Sequence, residues 1–369
     1  MNIASKNSQN FVITNHQKRN KLSLLNILER CFIIFVVLFI AILAGANTSN
    51  QDIQSSVWEF NGNYGIKEGE WLNWLLISFC KGHNITFEWY HLFIYSLGYL
   101  LIFYTFFKNI NMSIVGLIAY AIFPFTIDFI QTPNFAAMAL IIFSLNFLIK
   151  RKSFFNRIFF LVFILLGAGM QIIAYAFVPL FFLPSKINEK KLFKIGIALL
   201  VVTLSITLLD KFTNIIGIVL NNLPSFGDLR AEKYIDSSTN FGFVVYWAAQ
   251  LLTFSLMWIV IKRSKYDKIN KEYQFYLLSF SIVCYVFLLM PLISRSGTLF
   301  RLERISILIF IFAWCSYSKK IKNTTNKFLA YLIPIALSCF LFAAMNGATI
   351  LNDLSNIFRD NWLINKTRI

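Results

Sequence analysis

Long apolar runs punctuated by short basic clusters constrain this chain more than any single residue does. Lys150-Arg151-Lys152, Lys190-Lys191, Lys262-Arg263 and Lys319-Lys320 each flank an apolar segment. Every second gap is nearly free of Lys and Arg and carries acids and aromatics instead. That alternation is the positive-inside pattern of a polytopic membrane protein, in which the basic gaps face the cytoplasm. The expected fold class is all-α, a polytopic integral membrane protein.

Composition agrees. The chain is 57% hydrophobic and 14% charged, and 41 of its 369 residues are Phe, far from the balance of a soluble domain. The net charge of +17 does not point to nucleic acid, because no segment joins a basic stripe to a soluble recognition fold. Basic runs at span ends set topology and meet anionic lipid head groups. Cys31, Cys80, Cys284, Cys315 and Cys339 are scattered without a C-x-x-C, so neither a disulfide framework nor a metal site is expected. Ala44-Gly45-Ala46 resembles a signal-peptidase site, but the polar leader 1–30 is too long for an ordinary n-region. It reads as a cytoplasmic leader before a retained first helix.

About nine spans are expected, at 31–46, 88–107, 112–131, 134–149, 195–209, 242–261, 274–294, 302–318 and 328–346. They form one transmembrane domain, 31–346. Segment 155–184 decides the topology. As a single helix of 30 residues it would be about 45 Å long at ~1.5 Å per residue, too long for a simple crossing. Both of its flanks are basic. A broken or re-entrant helical hairpin, turning near Gly167-Ala168-Gly169, keeps both flanks inside. The amino terminus is then cytoplasmic and the tail 347–369 lies outside. About two thirds of the 34 basic residues fall inside, and of the 17 acids only Glu29, Glu189, Asp267 and Glu272 do. Two long loops, 47–87 and 210–241, make the outer face the working surface.

The first outer loop places Asp52, Glu59, Glu68, Glu70 and His83 among Trp58, Tyr64, Trp71 and Trp74. Carboxylates beside aromatic faces suit sugars, since rings stack on the pyranose and acids take hydroxyl protons. The same residues also fit a solvated loop with an interfacial aromatic belt. Asp128 lies near the outer end of its span. It is either a functional intramembrane acid or a carboxylate reaching the head groups. Gln131 and Asn134 flank Pro133 in the turn that follows. Arg295, Arg301 and Arg304 sit at the outer ends of two spans, against the topology rule. Arg301 and Arg304 stand at i, i+3 on one helical face. Guanidinium groups bind phosphates bidentately, so a lipid pyrophosphate is one ligand for this cluster; interfacial anchoring with Glu303 is the other reading. Arg230, with Lys233, adds a weaker patch in the second loop. No nucleotide-binding loop, H-E-x-x-H or G-x-S-x-G is present.

The chain resembles the EpsG-like and Wzy-like polymerases of bacterial exopolysaccharide, capsule and O-antigen synthesis. The stretches that carry the resemblance are Asp52 to Leu76, the turn and helix Gln131 to Leu140, and the broken helix Gly169 to Pro179. Arg230-Ala-Glu-Lys-Tyr234 and Arg301-Leu-Glu-Arg304 follow in order. Two departures from that pattern stand out: Pro133-Asn134 replace an Arg-Gln pair, and Gln171 stands where relatives tend to have a histidine.

The resemblance implies a GT-C-like membrane fold in the bacterial cytoplasmic (inner) membrane and glycosyl transfer at its outer face. A glycan on undecaprenyl pyrophosphate would pass to a lipid-linked repeat unit, with no metal, nucleotide or other cofactor. The partners implied are that lipid-linked oligosaccharide, membrane lipids and other polysaccharide assembly proteins. Asp52, Glu70 and Asp128 are the candidate bases. Arg230, Arg295, Arg301, Arg304, Gln131, Gln171 and Trp71 are the candidate substrate-binding residues. The rival readings are a lipid-linked oligosaccharide flippase or other secondary transporter, and an accessory subunit of a glycan assembly complex.

Overall fold

A computed structural model describes residues 24–49, 52–62, 69–149, 153–184, 186–213, 242–264, 270–295, 299–345, 355 and 357–365. Arg230, Lys233, Glu68 and most of 210–241 lie outside the described residues. Among those described the chain is helical, with one isolated antiparallel bridge between Asn47 and Asn361.

In chain order the helices begin with α1 (Leu24–Gly45), α2 (Ile53–Asn61), α3 (Trp71–Gly82) and α4 (Phe87–Asn109). Then come α5 (Ile114–Ile122), α6 (Phe125–Asp128), α7 (Thr132–Ile149) and α8 (Phe154–Met170). A 3-10 helix spans Ile172–Phe182. The rest are α9 (Glu189–Thr213), α10 (Gly242–Arg263), α11 (Lys271–Arg295), α12 (Phe300–Ser318), α13 (Thr324–Ala344) and the short α14 (Trp362–Asn365). Several starts are set by side chains that accept from otherwise orphaned N–H groups. The Ser113 hydroxyl accepts from the Val115 amide at 3.3 Å, Asn188 from Lys190 at 3.0 Å, and Asn323 from Asn326 at 3.0 Å.

Seven of these helices, α1, α4, α7, α9, α10, α11 and α13, are long and apolar enough to cross a membrane. Their outward faces are apolar, as on α1 (Phe32, Phe35, Phe39) and α9 (Val201, Val202, Leu209). Exposed apolar area on this scale fits contact with lipid. The span expected at 302–318 is α12, in which every residue from Leu302 to Ser318 is buried. It is the central post of the bundle. Interhelical contact in lipid depends on close packing rather than water exclusion, and the aromatic core shows this. Phe106 meets Phe312 at 4.4 Å between ring centroids, and Tyr99 meets Phe135 at 4.6 Å. A Cβ on Gly98 would come within 2.4 Å of the Phe135 ring, so this glycine allows α4 and α7 to touch.

Two expectations are refined. The segment 112–131 is not one helix: it breaks at Phe123–Pro124 into α5 and α6. Proline has no N–H to continue the ladder. The hairpin at 155–184 is present, but its break falls at Gln171, whose backbone is extended. Gly167 and Gly169 do not make the turn. Each lets α8 approach a neighbour: a Cβ on Gly167 would lie 3.4 Å from the Ala137 carbonyl, and one on Gly169 would lie 2.6 Å from the Trp71 ring. Arg157 closes the hairpin by donating to the carbonyls of Phe181 (3.1 Å) and Leu183 (3.0 Å).

Charge separates the two ends of the bundle. At one end Lys319 pairs with Glu29 at 2.9 Å and Lys320 with Glu272 at 2.8 Å, while the Tyr273 hydroxyl donates to Glu189. These groups sit at the ends that the charge pattern assigns to the basic side. The opposite end gathers the end of α1, helices α2 and α3, the α6–α7 turn, Gln171 and the start of α12. Residues 357–365 return to that end, where the Thr48 amide donates to the Asp360 carbonyl at 2.9 Å and Trp362 to Ala46 at 3.1 Å.

Candidate functional site

The segment 47–87 is built mostly of two short helices, and the first of them carries one wall of a cavity. Helix α2 buries Ile53 and Phe60, and Phe60 packs on Phe87 and Tyr90 at 5.6 and 5.5 Å. With that side fixed, Asp52, Ser55, Ser56 and Glu59 share the opposite face by their three- and four-residue spacing. All four line a cavity of about 230 Å³. Gly62 ends the helix in the left-handed region (φ +83°).

Glu70 enters from the next segment. Gly69 before it has φ +93°, a conformation that L side chains rarely adopt. The chain therefore turns sharply into α3 and sets Glu70, 4% exposed, into the cavity wall. Asn73 on α3 donates to the Glu59 carboxylate at 3.1 Å, so the two short helices hold each other.

The third wall is the α6–α7 turn, with Gln131, Thr132, Pro133 and Asn134. Pro133 sits in the first turn of α7, where its missing N–H costs nothing. His91 bolts this turn to the bundle. Its Nδ1 lies 2.9 Å from the Gly45 carbonyl and its Nε2 3.0 Å from the Thr132 hydroxyl. The carbonyl can only accept, so Nδ1 carries the proton and, in the neutral ring, Nε2 accepts from Thr132. Gln171, at the hairpin break, and Arg301, in the first turn of α12, complete the lining.

Beneath the turn lies a buried charge pair. Arg304 and Asp128 are both fully buried and approach to 3.1 Å. The Tyr120 hydroxyl donates to the other Asp128 oxygen at 3.1 Å, and Tyr95 donates to the Asp128 carbonyl at 2.9 Å. Arg304 also donates to the side-chain oxygen of Gln131 at 3.2 Å. The amide of Gln131 is thereby oriented from below. With its oxygen already accepting, its NH2 remains as the donor it can offer to a ligand.

The residues expected from the sequence thus part into groups. Asp52, Glu70, Gln131, Gln171 and Arg301 meet at the cavity. Asp128 and Arg304 do not line it; they are consumed by each other below it. Arg295 pairs with Asp210 at 3.3 Å and does not line it either. The three arginines therefore do not form one cluster: the i, i+3 spacing of Arg301 and Arg304 leaves one at the cavity and one in the protein interior. Trp71 is half exposed and packs on Gly169, outside the lining. Glu59, Ser55, Ser56 and Asn134 are lining residues that the expected set omitted. The spacing of 52, 55, 56 and 59 would have found the first three had 47–87 been read as helical. Among the described residues no group of three His, Cys, Asp or Glu is placed to hold a metal ion.

The cavity can therefore offer carboxylates to hydroxyl groups and one guanidinium to an anion, with amides between them. No curated protein and no solved structure matches this chain. Residues 30–352 match the model of the EpsG family, a match that runs from the first membrane helix past the last and takes in every wall of the cavity: the chain belongs to the EpsG family.

Proposed function

We propose that this protein is a polysaccharide polymerase that transfers a glycan from undecaprenyl pyrophosphate onto a lipid-linked repeat unit. Family membership points to a polymerase-like role in exopolysaccharide biosynthesis, on a lipid-linked polysaccharide substrate in the membrane. The observation that carries the finer reading is the convergence of Asp52, Glu59 and Glu70 with Arg301 on one cavity. By the positive-inside rule the Lys319–Glu29 end faces the cytoplasm of the inner membrane. The amino terminus is then inside and the cavity outside.

In this reading Asp52 or Glu70 takes the proton of the acceptor hydroxyl. The freed oxygen pair forms the new bond to the anomeric carbon, and the bond from that carbon to the pyrophosphate oxygen breaks. The leaving lipid pyrophosphate keeps that electron pair, and Arg301 neutralises the added charge through paired N–H donors. Gln131, aimed by Arg304, donates to a sugar oxygen. Asp128 and Arg304 act as positioning residues. The donor is already activated, so the transfer proceeds without nucleotide or metal.

Deleting the protein tests this against its rivals. Single repeat units on the outer leaflet and no long polymer support the polymerase. Unextended units held on the cytoplasmic leaflet would mark a flippase instead.

A further inference from the structure

Next to the polar cavity lies a second, larger concavity. Leu76 and Phe79 of α3, Ile85 of the turn, and Trp89, Tyr90 and Phe93 of α4 line a groove of about 520 Å³. Its size is that of a ligand site, and its lining is almost wholly apolar. Phe79, Trp89 and Phe93 are each about half exposed, so the groove opens to the surface of the bundle, with Trp362 of α14 against Trp89 at 5.0 Å between ring centroids. Helix α3 has twelve residues, about 18 Å at ~1.5 Å each. It cannot cross a bilayer, so the groove it forms lies within one leaflet.

The groove and the cavity share a wall. A void of only about 10 Å³ separates them, touched by Ser56 and Glu59 from the polar side and by Ile77 and Tyr90 from the apolar side. That space is at the lower limit for one water molecule. Tyr90 lines the groove, and its hydroxyl donates to Asn73, which in turn donates to Glu59. The row Tyr90–Asn73–Glu59 thus runs from hydrocarbon to carboxylate across the wall.

We propose that the α3–α4 groove is the berth of the isoprenoid chain of the lipid carrier, and that the Tyr90–Asn73–Glu59 row divides it from the head-group cavity. This rests on the polymerase reading and deepens it. A molecule with a charged, hydroxylated head and a wholly hydrocarbon tail matches a polar cavity and an apolar groove on two sides of one wall. Its pyrophosphate-to-isoprene junction passes over the rim of the wall beside the row, since the void of about 10 Å³ within the wall holds no more than one water. An ordinary diacyl lipid has no sugar–pyrophosphate head for the cavity.

A photoactivatable isoprenoid pyrophosphate without sugar, added to the full chain in nanodiscs, tests the berth independently of catalysis. Labelling should fall on residues 71–93 and be competed by undecaprenyl pyrophosphate but not by phosphatidylglycerol. Labelling elsewhere, or equal competition by both lipids, overturns the berth. Kinetics give the second readout, with repeat units on undecaprenyl or geranyl tails. The Phe79→Ala/Phe93→Ala variant should show a roughly tenfold higher KM for the long tail and a smaller rise in KM for the short one. An unaltered tail preference also overturns the proposal. A protein that labels at 71–93 but never polymerises overturns the polymerase reading alone, and one that polymerises but labels elsewhere overturns only the berth.

Discussion

Arg304 and Asp128 lie 3.1 Å apart with neither side chain reaching solvent, and Arg304 spends a second nitrogen on Gln131 at 3.2 Å. Breaking a buried pair leaves one uncompensated charge, a cost of about 3–5 kcal/mol, whereas replacing both partners by apolar groups is often neutral. Asp128→Leu and Arg304→Met should each lower the unfolding temperature in detergent, and the double variant should recover most of the loss. Polymer should stay low in the double variant, because Gln131 has lost its anchor. Full polymer from a stable double variant would make the pair structural only.

Arg301 lines the cavity from a helix whose next residues are buried, so shortening it leaves the packing of α12 intact. Arg301→Ala should reduce polymer by about a hundredfold or more, the scale seen when a donor to developing charge is removed. Arg301→Lys keeps the charge but loses the fork, so a partial defect is expected. Polymer length and membrane protein level, measured together, separate chemistry from folding.

Glu303 follows a different logic from its neighbours. It is fully buried, and neither carboxylate oxygen has a hydrogen-bond partner among the described residues. A buried unsatisfied polar group costs about 1–3 kcal/mol. Glu303→Met should therefore raise the unfolding temperature and leave polymer unchanged. Loss of polymer in a stable variant would instead give this acid a functional role, as intramembrane acids commonly have.

Gly169 couples the hairpin to the segment that carries Glu70. A Cβ there would meet the Trp71 ring at 2.6 Å and the Leu72 Cβ at 2.8 Å. The half-exposed indole can swing away, but the Leu72 Cβ moves only with its backbone. Overpacking of this kind costs about 1–3 kcal/mol. Gly169→Ala should shift α3, displace Glu70 and lower polymer more than it lowers protein level. The paired substitution Trp71→Ala should not rescue it, since Leu72 remains.

Much of the bundle was legible because hydropathy and charge act locally. Apolar runs located the helices, and the basic clusters flanking 155–184 required a fold-back, which the Arg157 bonds to Phe181 and Leu183 display. Proline was less readable. Pro124 interrupts the ladder between α5 and α6, while Pro291 and Pro334 sit inside α11 and α13 without ending them. Neighbouring helices decide whether a freed carbonyl finds another partner, and no local pattern contains them. The arginines failed for a related reason. Arg301 and Arg304 look alike in sequence, and only the packing of α6 beside α12 turns Arg304 toward Asp128. Glu59 stood among the acids of 47–87, but the face it shares with the two serines was hidden by the assumption that this segment of 41 residues is loop. Their helical spacing was present in the sequence throughout.

The most direct test is transfer by the purified protein in nanodiscs, given an undecaprenyl-pyrophosphate-linked repeat unit, a metal chelator and no nucleotide sugar. The account predicts a ladder of extended lipid-linked glycans with one undecaprenyl pyrophosphate released per addition. Rate losses of about a hundredfold to ten-thousandfold are expected for Asp52→Asn or Glu70→Gln, the scale of a missing general base, in protein that still unfolds at the wild-type temperature. No ladder from wild-type protein that is folded by its unfolding transition, or an undiminished ladder from the double variant Asp52→Asn/Glu70→Gln, would contradict it.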